Sequence, residues 1–217
     1  MNTMDLHVWL AYFVAAWVIA LSPGSGAVLS MSHGLAYGVR QTTATIVGLQ
    51  IGLAFILLVA GAGVGALLLT SAVAFTVVKV LGAGYLLWLG WRQWRAPVAG
   101  QAGHAEAVRA VPLSARQRLV QGALTNATNP KGIVFMVAVL PQFIDPHRPL
   151  ALQLLILLAT SVAVDLVVMH GYAALAASLS AALRSVRARR AQNRVFGGVL
   201  MAMGAGLLMV DRAARAG

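Results

Sequence analysis

Cysteine is absent from the chain, so no disulfide and no thiolate metal site exists in it. Charge is scarce: only 10% of the residues are charged, and five of those are acidic. A soluble domain carries about 25% charged residues. With 60% hydrophobic residues, the composition is that of an integral membrane protein. Strict polar–apolar alternation, the mark of an outer-membrane barrel, is missing. The five histidines (7, 33, 104, 147 and 170) are scattered and form no H-x-x-x-H pair. No Ser-His-Asp set, paired carboxylates or zinc spacing lies within the apolar runs, which argues against an enzyme. The first ten residues contain no Lys or Arg, and Asp5 is acidic. Together with the length of the first apolar run, this reads as a retained helix and not a cleaved signal.

What is present is six apolar runs of spanning length, about 20 residues being needed to cross a bilayer. They fall near Leu6–His33, Thr43–Leu69, Ala72–Trp91, Leu113–Leu140, Leu150–Leu183 and Val195–Val210. The net charge of +11 invites a nucleic-acid partner, but the arginines sit between apolar runs. That distribution is the positive-inside rule. Eleven Arg lie in loops on one side and three on the side of the termini. The cytoplasmic side is thus the Arg-rich one, and both termini are expected outside. Trp88, Trp91 and Trp94 beside Arg92 and Arg95 form an interfacial anchor. Arg184 to Arg194 suits either the anionic leaflet or plain solvent.

The polar stretch 96–112 divides the chain. Residues 1–95 form a first three-helix repeat, 96–112 a cytoplasmic linker and 113–217 a second repeat, all within one membrane domain. The expected fold is therefore all-α, six transmembrane helices in two inverted repeats. Each half opens with an interrupted span. The first interruption is Pro23-Gly24-Ser25-Gly26 and the second is Asn129-Pro130-Lys131-Gly132, with Asn126 one turn earlier. Breaking a helix in lipid is tolerable where the freed backbone groups line a cavity or meet a partner. Half-helix N-termini then attract an anion and C-termini a cation. An amino-acid zwitterion satisfies both. A plain proline kink is the competing explanation for either site taken alone.

Two cations and one anion lie inside spans: Lys79, Lys131 and Asp165. A buried carboxylate costs several kcal/mol unless paired or protonated. Asp165 therefore reads either as a proton carrier or as the ion-pair partner of Lys79 or Lys131. Ser161, four residues earlier on the same face, is in position to bond it. Gly48/Gly52, Gly61/Gly65, Gly198/Ala202 and Ala202/Gly206 have small-xxx-small spacing, which permits close helix packing. A homodimer is compatible with this organisation, and no cofactor or metal is expected.

Three segments resemble the lysine exporter (LysE) family, particularly its RhtB-type threonine/homoserine exporter branch. They are LSPGSGAVLSMSHGLAYGVR from Leu21, AFTVVKVLGAGYLLWLGWRQWR from Ala74, and GALTNATNPKGIVFMVAVLPQFI from Gly122. Pro23, Gly24, Lys79, Asn129, Pro130 and Lys131 fall on its motif positions. Where the family usually has Pro then Asn after Pro-Gly, this chain has Ser25 and Gly26. The resemblance implies efflux of a small neutral or cationic amino acid or derivative across the bacterial inner membrane, in exchange for protons. Asp165 matches no motif of the family. A divalent-metal or other ion exporter is the alternative, with Asp165 and His170 as almost its only ligands.

Overall fold

A computed structural model describes residues 4–70, 72–95 and 113–178. It also describes positions 190, 194–195, 198, 201–202, 204–206 and 208–209. The linker 96–112, the end of the predicted fifth span and parts of the sixth lie outside the described residues. Among the described residues there are helices and no strands. They form α1 (Leu6–Leu21), α2 (Ser25–Thr70), α3 (Ala72–Trp94), α4 (Ala115–Ala127), α5 (Pro130–Val134) and α6 (Leu150–Ser178). A π-helical turn, Phe135–Val139, and a 3-10 turn, Leu140–Phe143, follow α5.

The exterior is apolar, and polar side chains are buried among a hydrophobic core. Leu6, Val14, Phe55, Leu81, Leu155 and Val167 are all more than half exposed. Thr42, Thr45, Gln50, Asn126, Asn129 and Ser161 are buried. In α1, Tyr12, Ala16 and Ala20 form the buried stripe at a spacing of four, whereas Leu6, Leu10 and Val14 face outward. A water-soluble helix turns polar residues outward; the leucines and valine on the outer face of this one suit lipid. Residues Ser25–Gly63 and Leu150–Ser178 are long and apolar enough to cross a bilayer.

Helix α2 is a hairpin. A straight helix would hold residues twelve apart at about 18 Å. Instead His33 Nδ1 lies 2.6 Å from Thr45 Oγ1, 12 positions on, and Gly26 abuts the Leu49 side chain. The reversal occurs at Gly38, whose φ of 75° and ψ of 166° interrupt the helix. The sequence predicts a loop between His33 and Thr43; helical turns run through it, with one residue carrying the bend. That backbone region is essentially open to glycine alone, and costs a side-chain-bearing residue about 1–3 kcal/mol. A Cβ at Gly38 would meet nothing within 4 Å, so the strain is conformational and not steric. Gly38→Ala is expected to destabilise by about 1–3 kcal/mol, seen as a lower melting midpoint in detergent. A midpoint equal to that of Gly84→Ala, another position with open space around it, contradicts this account of the turn.

The second arm of the hairpin packs directly on α4. A Cβ at Gly48 would strike the Leu119 carbonyl, one at Gly52 the Ala123 carbonyl, and one at Gly122 the Thr45 carbonyl. The Gly48/Gly52 spacing therefore marks a real backbone-to-backbone contact. α4 starts with a capping box, in which Ser114 Oγ accepts from the Gln117 N–H and the Gln117 side chain accepts from the Ser114 N–H. Arg118, counted among the loop cations by sequence, is instead buried in α4. Its Nη1 donates to the Leu113 carbonyl at 3.0 Å and to Gln41 Oε1 at 3.3 Å, and the guanidinium lies over the Tyr37 ring. These contacts fasten the start of α4 to the Gly38 turn. At the start of α1, Asp5 pairs with Arg148 at 2.9 Å, and Arg148 also holds Asp145, so α1 and α6 begin together. At the end of α3, Arg92 and Arg95 stack on the exposed rings of Trp88 and Trp91. In the sixth segment, Gly198 approaches Trp94 and Gly204 packs against Ala83 and Leu87 of α3.

Candidate functional site: two helix breaks that meet

Both breaks begin with the same local cause. The residue before a proline is pushed out of the helical region. Ser22, before Pro23, has φ −70° and ψ 120°. Asn129, before Pro130, has φ −72° and ψ 109°. Each proline also lacks the N–H that a continuing helix would donate one turn back.

The carbonyls freed at the end of α1 are taken up by side chains. In an unbroken helix, residue 23 would donate to the Ile19 carbonyl. Here Lys131 Nζ donates to it at 3.1 Å, and to the Ser22 carbonyl at 2.5 Å. The Tyr172 hydroxyl donates to the Leu21 carbonyl at 2.6 Å. At the second break, Asn129 caps α5, its Oδ1 accepting from the Lys131 N–H at 3.1 Å. Pro130 occupies the first turn, where its missing N–H is harmless. One break thus supplies the cation that satisfies the other.

Around this junction lies a cavity of about 60 Å³. Gly24, Gly26, Asn126, Asn129, Lys131 and Asp165 line it. Six of the residues selected from sequence therefore converge, although they come from α2, α4, α5, α6 and the breaks between them. The apolar part of the wall includes Leu49, Leu53, Phe135, Met136 and Met169. Phe135 and Met136 belong to the π-helical turn, a distortion that frequently accompanies functional sites.

The remaining selections lie elsewhere. Ser25 is exposed, and Pro23 and Pro130 shape the breaks without lining the cavity. Lys79 is half-buried on α3 and is not part of the cavity wall. Asp165 is held by an amide: Gln50 Nε2 donates to its Oδ2 at 2.7 Å. Ser161, the partner expected for Asp165, instead shares a 2.5 Å hydrogen bond with the Tyr12 hydroxyl. Asn126 Nδ2 donates to the Leu49 carbonyl at 2.7 Å, tying the cavity wall to the glycine-packed seam. His170 lies near Thr43 and the Leu166 carbonyl, away from the wall.

Sequence reasoning missed Gln50, Tyr12, Tyr172 and Ser22. Gln50 had a signal: it is the one carboxamide in the second apolar run. The tyrosines had none, since an aromatic in an apolar run is ordinary core.

An apolar exterior around an internal site with one cation, one anion and four amides or hydroxyls (Ser22, Asn126, Asn129 and Ser161) defines the class, a helical membrane protein with a polar interior site. Residues 17–211 match the family model of the LysE type translocator. The chain is 41% identical to the homoserine/homoserine lactone efflux protein of Salmonella typhi, over 93% of this chain and 96% of that one. It is 48% identical to an uncharacterised membrane protein of Vibrio cholerae serotype O1, over 95% and 98%. It is 40% identical to the leucine efflux protein of Klebsiella pneumoniae, over 63% of each chain. No solved structure matches it. The chain belongs to the LysE family of translocators.

Proposed function

We propose that this protein exports a small neutral amino acid from the bacterial cytoplasm across the inner membrane in exchange for protons. The observation that carries the reading is the meeting of two broken helices at one cavity containing a single ammonium and a single carboxylate, Lys131 and Asp165. A zwitterion is complementary to that pair. Its side chain would face Leu49, Leu53, Phe135, Met136 and Met169. A cationic substrate such as lysine would add a second positive charge, and the cavity wall has no second carboxylate among the described residues. The relatives that export homoserine and leucine point the same way. Under this reading the two halves are inverted repeats, 96–112 is cytoplasmic and both termini lie outside. The parallel geometry of Ser22-Pro23 and Asn129-Pro130 supports the repeat. The ion-exporter alternative is disfavoured: among the described residues no three His, Cys, Asp or Glu are grouped to hold a metal.

The test is flux from proteoliposomes under an imposed pH gradient, comparing homoserine, leucine and lysine. Homoserine and leucine should move. Lysine should be slower by about tenfold or more, since one unpaired buried charge costs more than about 1.4 kcal/mol. No gradient-dependent amino-acid movement in any of the three overturns the proposal.

A further inference from the structure

The carbonyl seat at the end of α1 is the position where a substrate's ammonium would be expected, and it is occupied by part of the protein. Lys131 Nζ donates to the Ile19 carbonyl, which Pro23 leaves without its helical partner, and to the Ser22 carbonyl just past the end of α1. A helix C-terminus carries partial negative charge, so the seat is built for a cation. Resting on the exporter reading above, we propose that Lys131 is a tethered stand-in for the substrate's ammonium. The substrate's amino group displaces it from the seat, and the released Lys131 takes the substrate's carboxylate.

Three further observations fit a seat that changes occupant. Ser22 Oγ is fully buried, lines the cavity and has no hydrogen-bond partner. Left so, a buried hydroxyl costs about 1–3 kcal/mol. It belongs to the residue whose carbonyl already holds Lys131 and offers a third acceptor in the cavity wall, and a primary ammonium has three N–H donors. Lys131, constrained by its tether, reaches two of the three. A free ammonium can reach all of them. Next, Gly24 leaves space: a Cβ there would lie 3.1 Å from both Cε and Nζ of Lys131. Any other residue at 24 would crowd the parked side chain. Finally, Asp165 is bonded to Gln50 and makes no ion pair with Lys131 among the described contacts. The cation and anion of the cavity are held by different parts of the fold, so Lys131 leaves its seat without breaking a salt bridge.

The exchange has a consequence for recognition. A compound with an ammonium and no carboxylate must displace Lys131 without offering it a new partner. A zwitterion displaces it and compensates it. Discrimination against simple amines thus comes from the lysine itself.

The experiment measures binding calorimetrically with purified protein in detergent. The probes are L-homoserine and 3-aminopropan-1-ol, the same molecule without its carboxylate. In the wild type, homoserine should bind and the amine should bind weakly. In Lys131→Met the seat is vacant, so the amine should bind about tenfold or more tighter than in wild type. Homoserine gains the vacant seat and loses its carboxylate partner, so its affinity should change by less than about threefold, whereas the amine gains the worth of about one charge-assisted hydrogen bond. The different responses of the two ligands are diagnostic. If both ligands weaken together in a variant that melts like the wild type, Lys131 is an ordinary carboxylate partner and the stand-in is refuted. Should Lys131→Met not fold, Gly24→Ala decides. It keeps the charge and crowds the parked position, so the amine should bind tighter by a few-fold; equal or weaker amine binding refutes the proposal. If wild-type protein binds no amino acid by this measure, the exporter reading itself falls, and the stand-in with it.

Discussion

Gly122→Val is expected to abolish the folded protein, whereas Gly84→Ala leaves it intact. Gly122 faces the Thr45 carbonyl and the Leu49 N–H across the seam between α2 and α4. Gly48 and Gly52 face the backbone of α4 in return. The two helices therefore touch backbone to backbone along the seam, with glycines contributed by both sides. Overpacking a core usually costs about 1–3 kcal/mol because side chains shift to make room. Here the obstacle is backbone, which cannot rotate away, so the helices must separate. Separation also breaks the bond from Asn126 to the Leu49 carbonyl and opens the cavity wall. The expected result is loss of the monodisperse peak in size-exclusion chromatography in detergent, with the protein in the void volume. Gly84, with nothing within 4 Å of its notional Cβ, controls for the general effect of replacing a membrane glycine. Wild-type yield and melting for Gly122→Val would show that the seam is not as close as described.

That seam also marks what sequence reveals and what it withholds. The Gly48/Gly52 spacing is visible as text, and it correctly indicates a helix face meant for close approach. It does not say which helix approaches. Gly122, the reciprocal glycine, has no small residue four positions away on either side to betray it. The breaks were legible for a different reason. Proline constrains the residue before it through local sterics, so Ser22 and Asn129 follow from the sequence without any tertiary contact. That the breaks touch each other, with Lys131 reaching into the first, is a tertiary fact with no local trace. Gly38 is the converse case: the sequence indicates a loop of nine residues between His33 and Thr43, and the reversal is concentrated in one. Lys79 shows the limit of motif matching. It falls on a family position, yet it lies on α3 and not in the cavity wall, so the match alone does not say what it does.

Asp165→Asn should separate transport from the proton gradient while sparing the fold. The carboxylate sits in the cavity wall and accepts one hydrogen bond, from Gln50 Nε2. An asparagine oxygen accepts the same bond, and the side chains are nearly the same size. What disappears is the ability to take up and release a proton. If Asp165 carries the exchanged proton, its loss leaves an exporter that equilibrates substrate and cannot concentrate it. A gradient of one pH unit is worth about 1.4 kcal/mol per proton, enough for up to about a tenfold concentration ratio in one-for-one exchange. In proteoliposomes the wild type should approach that ratio for a transported amino acid, and Asp165→Asn should stay near unity. Counterflow, in which labelled substrate exchanges for unlabelled substrate with no pH gradient, should continue in the variant. The comparison distinguishes the two roles of a membrane carboxylate. A purely structural Asp165 would lower counterflow and driven accumulation together, since both need the same folded cavity. A proton carrier loses the second and keeps the first, because an empty site must reorient with its proton whereas a loaded site need not. Full accumulation by Asp165→Asn would remove this residue from the coupling mechanism. It would leave the cavity without any carboxylate to perform that role among the described residues.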